Sequence, residues 1–127
     1  MATTRPLLLV VDDEEDVREL MVDVLAAHGY AVAAARDGID ALRLCQQARY
    51  DLILSDLRMP RMDGAALFQA LQRQYGSTRP PVVFVTGQAY SPDYAGFLAT
   101  ASVPVVSKPF TADDLRKVVA HALESKA

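Results

Sequence analysis

The chain has 127 residues, of which 51% are hydrophobic and 23% are charged, and these values predict one domain, 1–127, with a single hydrophobic core. The formal net charge is −3 and no basic run is present, which argues against direct binding to nucleic acid. Cys45 is the one cysteine, so no intrachain disulfide can form. The sequence has no long apolar run and no secretory signal, so we expect a soluble cytoplasmic protein that does not bind a membrane.

The first half of the chain predicts two strands, each followed by a helix. Leu7–Val11 is a continuous apolar run, which is typical of strands covered on both faces of a parallel sheet. Apolar residues at helical spacing then predict a helix that ends at Gly29. A weaker strand is expected at Ala31–Ala35, and a helix is expected at 40–48.

The second half predicts three more strands and three more helices. The strands are expected at 51–55, 82–85 and 104–107. The helices are expected at 65–75 with Asp63 as the N-cap, at 91–100 as a short and weak helix, and along the apolar stripe from Leu115 to Leu123. Five strands that alternate with five helices imply right-handed crossovers and a doubly wound α/β sheet with helices on both faces.

Polar residues follow the apolar runs at the points where the predicted strands end. In open α/β sheets, ligands bind outside the carboxyl ends of the strands. Asp12 and Asp13 follow the first strand and Asp56 follows the third, so three carboxylates would share a small volume if these strands are neighbours. Their mutual repulsion requires a neutralising charge, and Mg²⁺ suits such oxygen ligands. The acidic cluster therefore predicts a metal site.

Two further strand-end residues extend this site. Thr86 supplies a hydroxyl and Lys108 supplies a positive charge, which together would form a cradle for a phosphoryl group. Asp56 would then be the in-line nucleophile that forms an acyl phosphate. The strand stops at Asp56 in order to present its carboxylate at the edge of the sheet.

With the segments MPRMDG and SKPF, these five residues resemble the receiver domain of two-component response regulators over nearly the whole chain. The resemblance implies a flavodoxin-like (βα)5 three-layer sandwich whose five parallel strands have the order 2-1-3-4-5. It implies that Asp12, Asp13, Asp56 and the backbone carbonyl of Arg58 bind Mg²⁺. It also implies that Asp56 accepts a phosphoryl group whose oxygens contact Thr86 and Lys108, and that the bond before Pro109 is cis.

The same resemblance implies signalling partners. The phosphoryl group would come from a histidine kinase or a histidine phosphotransfer protein, and the face formed by the fourth helix, fifth strand and fifth helix would then change its affinity for a downstream protein or drive dimerisation. Many receivers carry, at the position of Val105, an aromatic residue whose inward rotation is coupled to movement of the threonine. Val105 has no aromatic ring, so this usual aromatic readout is in question here. The segment FLATASVPVVSKPF is similar to receivers of hybrid histidine kinases, from which this module could derive.

Other functions fit the sequence less well. An aspartate-nucleophile phosphatase would need an acid two residues after the nucleophile, where this chain has Arg58, so we expect no enzyme beyond self-phosphorylation and autodephosphorylation. A flavin or nucleotide binder would need a glycine-rich turn after the first strand. A receiver-like interaction module that is never phosphorylated remains an alternative. Singly, Asp12 or Asp13 could cap a helix, and Cys45 is interpreted as a small core residue without chemistry.

Overall fold

The computed structural model describes residues 5–125, and its strands and helices alternate as the sequence predicts. The strands are β1 (Leu7–Val11), β2 (Ala31–Ala35), β3 (Leu52–Ser55), β4 (Val82–Thr86) and β5 (Val105–Ser107). The helices are α1 (Glu15–Ala27), α2 (Gly38–Gln47), α3 (Gly64–Tyr75), α4 (Pro92–Ala101) and α5 (Ala112–Ser125), and a short 3-10 turn at Gly76–Thr78 follows α3. No helix among these residues is long and apolar enough to cross a membrane.

The five strands form one parallel sheet with the order β2-β1-β3-β4-β5, which confirms the predicted fold class. Val11 pairs with Ser55 across β1 and β3, and Thr86 pairs with Ser107 across β4 and β5. Because these pairs stand at the carboxyl ends of their strands, the residues that follow them emerge at the same edge of the sheet. This register brings the predicted site residues together.

Hydrophobic side chains fill both faces of the sheet, as expected for strands covered on both sides. On one face, Leu8 and Val10 of β1 pack in a cluster with Met21 and Leu25 of α1 and with α5. On the other face, alternate strand residues pack with α2, α3 and α4. Within this second cluster, three phenylalanine rings pack with centroids 5.6 to 6.2 Å apart: Phe68, Phe84 and Phe97. The molecule is therefore a three-layer sandwich with two half-cores.

Most element boundaries agree with the sequence predictions, and the differences have local causes. The helix predicted at 40–48 begins at Gly38, because the side chain of Asp37 accepts a hydrogen bond from the Asp40 amide and caps the earlier turn. Strand β5 begins one residue after Pro104, which has no N–H to donate to the sheet. Asp63 caps α3 as predicted, through its bond from the Ala66 amide at 2.8 Å. Gly29 adopts a positive φ of 91° after α1.

Helix α4 has the length of the weak helix predicted at 91–100, is shifted by one residue, and has a well-defined start. It spans ten residues, from Pro92 to Ala101. Ser91 is its N-cap and accepts a hydrogen bond from the Asp93 amide at 3.2 Å, and Pro92 occupies the first turn, where a missing N–H has no cost. Among its residues only Tyr94 is buried, and the half-buried Phe97, Leu98 and Ala101 also pack against the domain.

Candidate functional site

The carboxylate of Asp56 is held at the end of β3 by the backbone around it. Its amide donates to the carbonyl of Val11 at 2.9 Å, which continues the ladder between β1 and β3 for one more residue. Its Oδ1 accepts a hydrogen bond from the amide of Leu57 at 2.7 Å. Only 6% of the residue is exposed. The start of α3 passes so close to the carbonyl of Asp56 that only glycine fits at Gly64.

Asp56 forms an acidic cluster with Asp12 and Asp13, as predicted. One carboxylate oxygen from each of the three residues lies within 4.8 Å of the others. Asp12 is 1% exposed, and its Oδ1 accepts a hydrogen bond from the amide of Glu14 at 2.9 Å. Burial raises the pKa of Asp12, although the ammonium of Lys108 opposes this rise. The cluster offers the hard oxygen ligands that Mg²⁺ prefers, so its donor set fits that cation.

Lys108 extends from the end of β5 into this cluster. Its Nζ lies 2.7 Å from Asp12 Oδ2, 2.8 Å from Asp56 Oδ2 and 3.4 Å from Glu14 Oε1. Burial disfavours the ammonium, but the hydrogen bonds to Asp12 and Asp56 raise the pKa of Lys108 above its ordinary value. The peptide bond between Lys108 and Pro109 is cis, as predicted. The lysine therefore bridges the two buried acids.

Thr86 stands beside Lys108 at the end of β4. Its side chain is fully buried, and its hydroxyl accepts a hydrogen bond from the amide of Gln88 at 3.0 Å. Its carbonyl accepts from the amide of Lys108 at 2.9 Å. An open cleft of about 460 Å³ lies over this edge of the sheet, and Asp56, Gly87, Gln88 and Lys108 are among the residues that line it.

This geometry agrees with what comparisons with known proteins find. The family model of the response regulator receiver domain matches residues 8–120. The chain belongs to this family. It is also 40% identical over 114 residues to the sensor histidine kinase RcsC of Salmonella typhi, a match that covers 90% of this chain. This receiver spans only 12% of the length of that kinase.

Solved receiver structures are similar to this one over nearly their whole length. The chemotaxis response regulator CheY4 of Vibrio cholerae superposes with a TM-score of 0.83 at 31% identity, and the match covers 94% of this chain and 99% of that one. The response regulator protein TrrA of Thermotoga maritima, solved in complex with Mg(2+)-BeF, has a TM-score of 0.79 at 29% identity and covers 92% and 98% of the two chains. The predicted receiver fold, and its place in two-component signalling, are therefore confirmed.

The structure brings Asp12, Asp13, Asp56 and Lys108 into one cluster, and Arg58 lines the same cleft without joining that cluster. The guanidinium of Arg58 lies 2.7 Å from Asp93 Oδ2 and 5.4 Å from the centre of the Tyr94 ring, at the start of α4. Its predicted role concerned the backbone carbonyl, and that role stays a prediction, as do the roles of Thr86 and Lys108 toward a phosphoryl group.

Sequence reasoning missed the polar network that joins the site to α4. Tyr94 donates its hydroxyl to Asp63 Oδ2 at 3.1 Å, while Asp63 Oδ1 caps α3. Arg58 packs over the same tyrosine ring and pairs with Asp93. These contacts span more than 30 residues of sequence, so no local pattern in the sequence indicates them.

Proposed function

We propose that this receiver accepts a phosphoryl group on Asp56 in an Mg²⁺-dependent reaction with a phosphohistidine of a kinase or a phosphotransfer protein. The observation that carries the proposal is the position of the Asp56 carboxylate, which lies within the acidic cluster and 2.8 Å from the ammonium of Lys108. The relatives support the assignment, because one is a sensor histidine kinase and another was solved with Mg(2+)-BeF.

The transfer moves one phosphoryl group between two nucleophiles. A carboxylate oxygen of Asp56 attacks phosphorus in line as the P–N bond of the phosphohistidine breaks, and the imidazole nitrogen keeps the electron pair of that bond. A bound Mg²⁺, held by Asp12, Asp13, Asp56 and the carbonyl of Arg58, would neutralise charge on the transferred oxygens. Lys108 would shift its hydrogen bonds from the carboxylates to a phosphoryl oxygen, which keeps the new negative charge paired.

The switch would begin at Thr86. Its hydroxyl leaves the Gln88 amide for a phosphoryl oxygen, and because its carbonyl is bonded to the amide of Lys108, β4 and β5 respond together. The surface formed by α4, β5 and α5 would then change its affinity for a downstream protein or for a second copy of the chain. Val105 of β5 is 38% exposed and carries no aromatic ring, so this response would not use the aromatic readout of many receivers.

We propose a phosphoacceptor rather than a turnover enzyme, acting in the cytoplasm. A phosphatase needs an acid that protonates the leaving group, and the residue two positions after Asp56 is Arg58, whose guanidinium is paired with Asp93. The remaining alternative is an interaction module that is not phosphorylated.

Mass measurement of the intact protein after incubation with Mg²⁺ and acetyl phosphate tests the proposal. We expect a single phosphoryl adduct that disappears in Asp56→Asn and after removal of the metal by a chelator. Asp93→Asn is the matched control, since it removes an exposed carboxylate at the same edge of the protein, and it should form the adduct. Absence of the adduct under donor excess, together with absence of Mg²⁺ binding, would favour the interaction module. Repeated turnover of phosphoesters would favour a phosphatase.

A further inference from the structure

A second cavity lies at the end of the sheet where the strands begin, opposite the end that carries Asp56. It has a volume of about 680 Å³, within the range of about 300 to 1,000 Å³ that is typical of small-molecule sites. Its walls come from the end of α2, the residues before β3, the end of α3 and the residues before β4. Because the strands are parallel, their starts are remote from the carboxyl ends that form the phosphoacceptor site.

The charges that line this cavity are all positive. Arg49 and Arg79 contribute to its wall, and no aspartate or glutamate does so among the described residues. The guanidinium of Arg79 stacks over the ring of Phe68 at 4.5 Å from its centre and donates to the carbonyl of Pro80 at 3.0 Å. Within residues 5–125 it has no carboxylate partner. Burial lowers the pKa of Arg79, as expected for a partly desolvated cation without a counter-ion.

An unpaired hydroxyl also lines the cavity. Tyr50 is 5% exposed, and within the described part of the chain its hydroxyl has no hydrogen-bond partner. Burial and the neighbouring Cys45 raise the pKa of Tyr50, so the hydroxyl keeps its proton and remains a donor. Because no buried side-chain oxygen or nitrogen of the described residues lacks a partner, this hydroxyl is accessible to solvent where it opens onto the cavity, and a ligand oxygen would replace water there.

The cavity is suited to binding and not to covalent chemistry. Burial raises the pKa of the Cys45 thiol to about 11, so the thiol is protonated at neutral pH and is a poor nucleophile. Tyr75 donates its hydroxyl to the carbonyl of Cys45 at 3.3 Å, and Pro80 and Pro81 add apolar surface to the lining. Cationic donors therefore lie next to flat, apolar surfaces.

We propose that this cavity binds a small aromatic carboxylate. The carboxylate would accept hydrogen bonds from the guanidinium of Arg79 and the hydroxyl of Tyr50, and Arg49 at the mouth would add charge. The planar fork of an arginine matches a carboxylate better than a single-point cation does, and the tyrosine and proline surfaces would cover the ring. This site is separate from the phosphoacceptor and does not depend on the function proposed for Asp56.

Titration of the isotope-labelled full chain with benzoate, followed by amide chemical shifts, tests the proposal. We expect saturable shifts confined to residues 45–50 and 75–79. Benzamide has the same shape without the charge, and inorganic phosphate has charge without the ring, so each should bind at least tenfold more weakly. Arg79→Gln should weaken benzoate binding at least tenfold. Tyr50→Phe, which keeps the ring and removes an unpaired hydroxyl, should weaken it several-fold.

Further variants keep the test decisive. Arg116→Gln on α5, across the sheet from the cavity, should bind benzoate as the unmodified protein does. If Arg79→Gln does not fold, Tyr50→Phe and Arg49→Gln carry the test, because neither removes a hydrogen bond or an ion pair that the structure contains. Equal binding of benzamide, equal binding of phosphate, unchanged affinity in the folded cavity variants, or no saturation would each overturn the proposal. Asp56→Asn should bind benzoate normally, which separates this result from that of the phosphorylation assay.

Discussion

The ammonium of Lys108 lies 2.8 Å from Asp56 Oδ2, across 52 residues of sequence. The same nitrogen lies 2.7 Å from Asp12 Oδ2, so a single cation bridges two carboxylates that are almost fully buried. Asp56 Oδ1 accepts a hydrogen bond from the Leu57 amide, and Asp12 Oδ1 accepts one from the Glu14 amide. The other oxygen of each carboxylate, Oδ2, is therefore directed at the lysine. The charge balance of this edge of the sheet therefore depends on Lys108.

Lys108→Met should destabilise the protein when divalent cations are chelated. The variant leaves the two buried carboxylates without their shared cation, and removal of one partner of a buried ion pair costs up to about 3–5 kcal/mol. Because Lys108 keeps some contact with solvent, we expect a loss of about 2 kcal/mol in the free energy of unfolding by urea. Lys117→Met on α5, where the lysine side chain is 74% exposed, should unfold as the unmodified protein does. Equal stability of the two variants would contradict this charge balance.

Gly64→Ala should be strongly destabilising, because a Cβ at this position would overlap the carbonyl oxygen of Asp56 and lie 3.1 Å from the Cα of Leu57. The obstacle is backbone, so either α3 or the end of β3 must move, at a cost of about 3 kcal/mol. Gly96→Ala is the matched control. A Cβ at Gly96 meets nothing within 4 Å inside α4, so this change should stabilise the protein by about 0.5–1 kcal/mol in the same urea unfolding experiment. Similar effects from both alanines would rule out the close approach.

The sequence was sufficient to predict the acidic cluster, because its residues stand just after the ends of two predicted strands. Once the strands are parallel and in register, Val11 and Ser55 are neighbours, and the aspartates after them must meet. The direction of side chains was not predictable in the same way. Arg58 turns to Asp93, 35 residues away, because α4 begins there, and the path of that loop is set by tertiary packing. The distal cavity likewise depends on how two helix ends and two loops meet.

Asp37 should make stability depend on pH in the acid range. Its burial opposes ionisation, but hydrogen bonds from the Asp40 amide and from Arg61 lower the pKa of Asp37 below 3.8. A lowered pKa in the folded state means that the stabilisation is present above about pH 4 and is lost as the pH falls through the folded-state pKa. Asp37→Asn keeps the cap and loses the charge, so it should cost about 1 kcal/mol at pH 7 and progressively less below pH 4.

Two further variants separate the charge of Asp37 from its cap. Asp37→Ala removes both, so it should cost about 1 kcal/mol more than Asp37→Asn, and this added loss should persist at low pH. Asp23→Asn, an exposed position of α1, should follow the unmodified protein throughout. The measurement is the free energy of unfolding by urea between pH 2.5 and 7. A constant difference between Asp37→Asn and the unmodified protein over this range would disprove the ionic contribution of Asp37.

Tyr94→Phe should loosen the start of α4 without changing the fold. The hydroxyl of Tyr94 donates to Asp63 Oδ2 at 3.1 Å, and phenylalanine keeps the buried ring under Arg58 while it removes this bond. We expect a loss of about 1 kcal/mol in the free energy of unfolding, and faster hydrogen exchange of the amides at 94–97, since Asp63 Oδ1 continues to cap α3. Tyr90→Phe removes a hydroxyl from a residue that is 93% exposed, so it should change neither quantity. If the α4 amides exchange hydrogen at the same rate in Tyr94→Phe as in Tyr90→Phe, then the hydroxyl of Tyr94 does not hold α4 against the loop that follows Asp56.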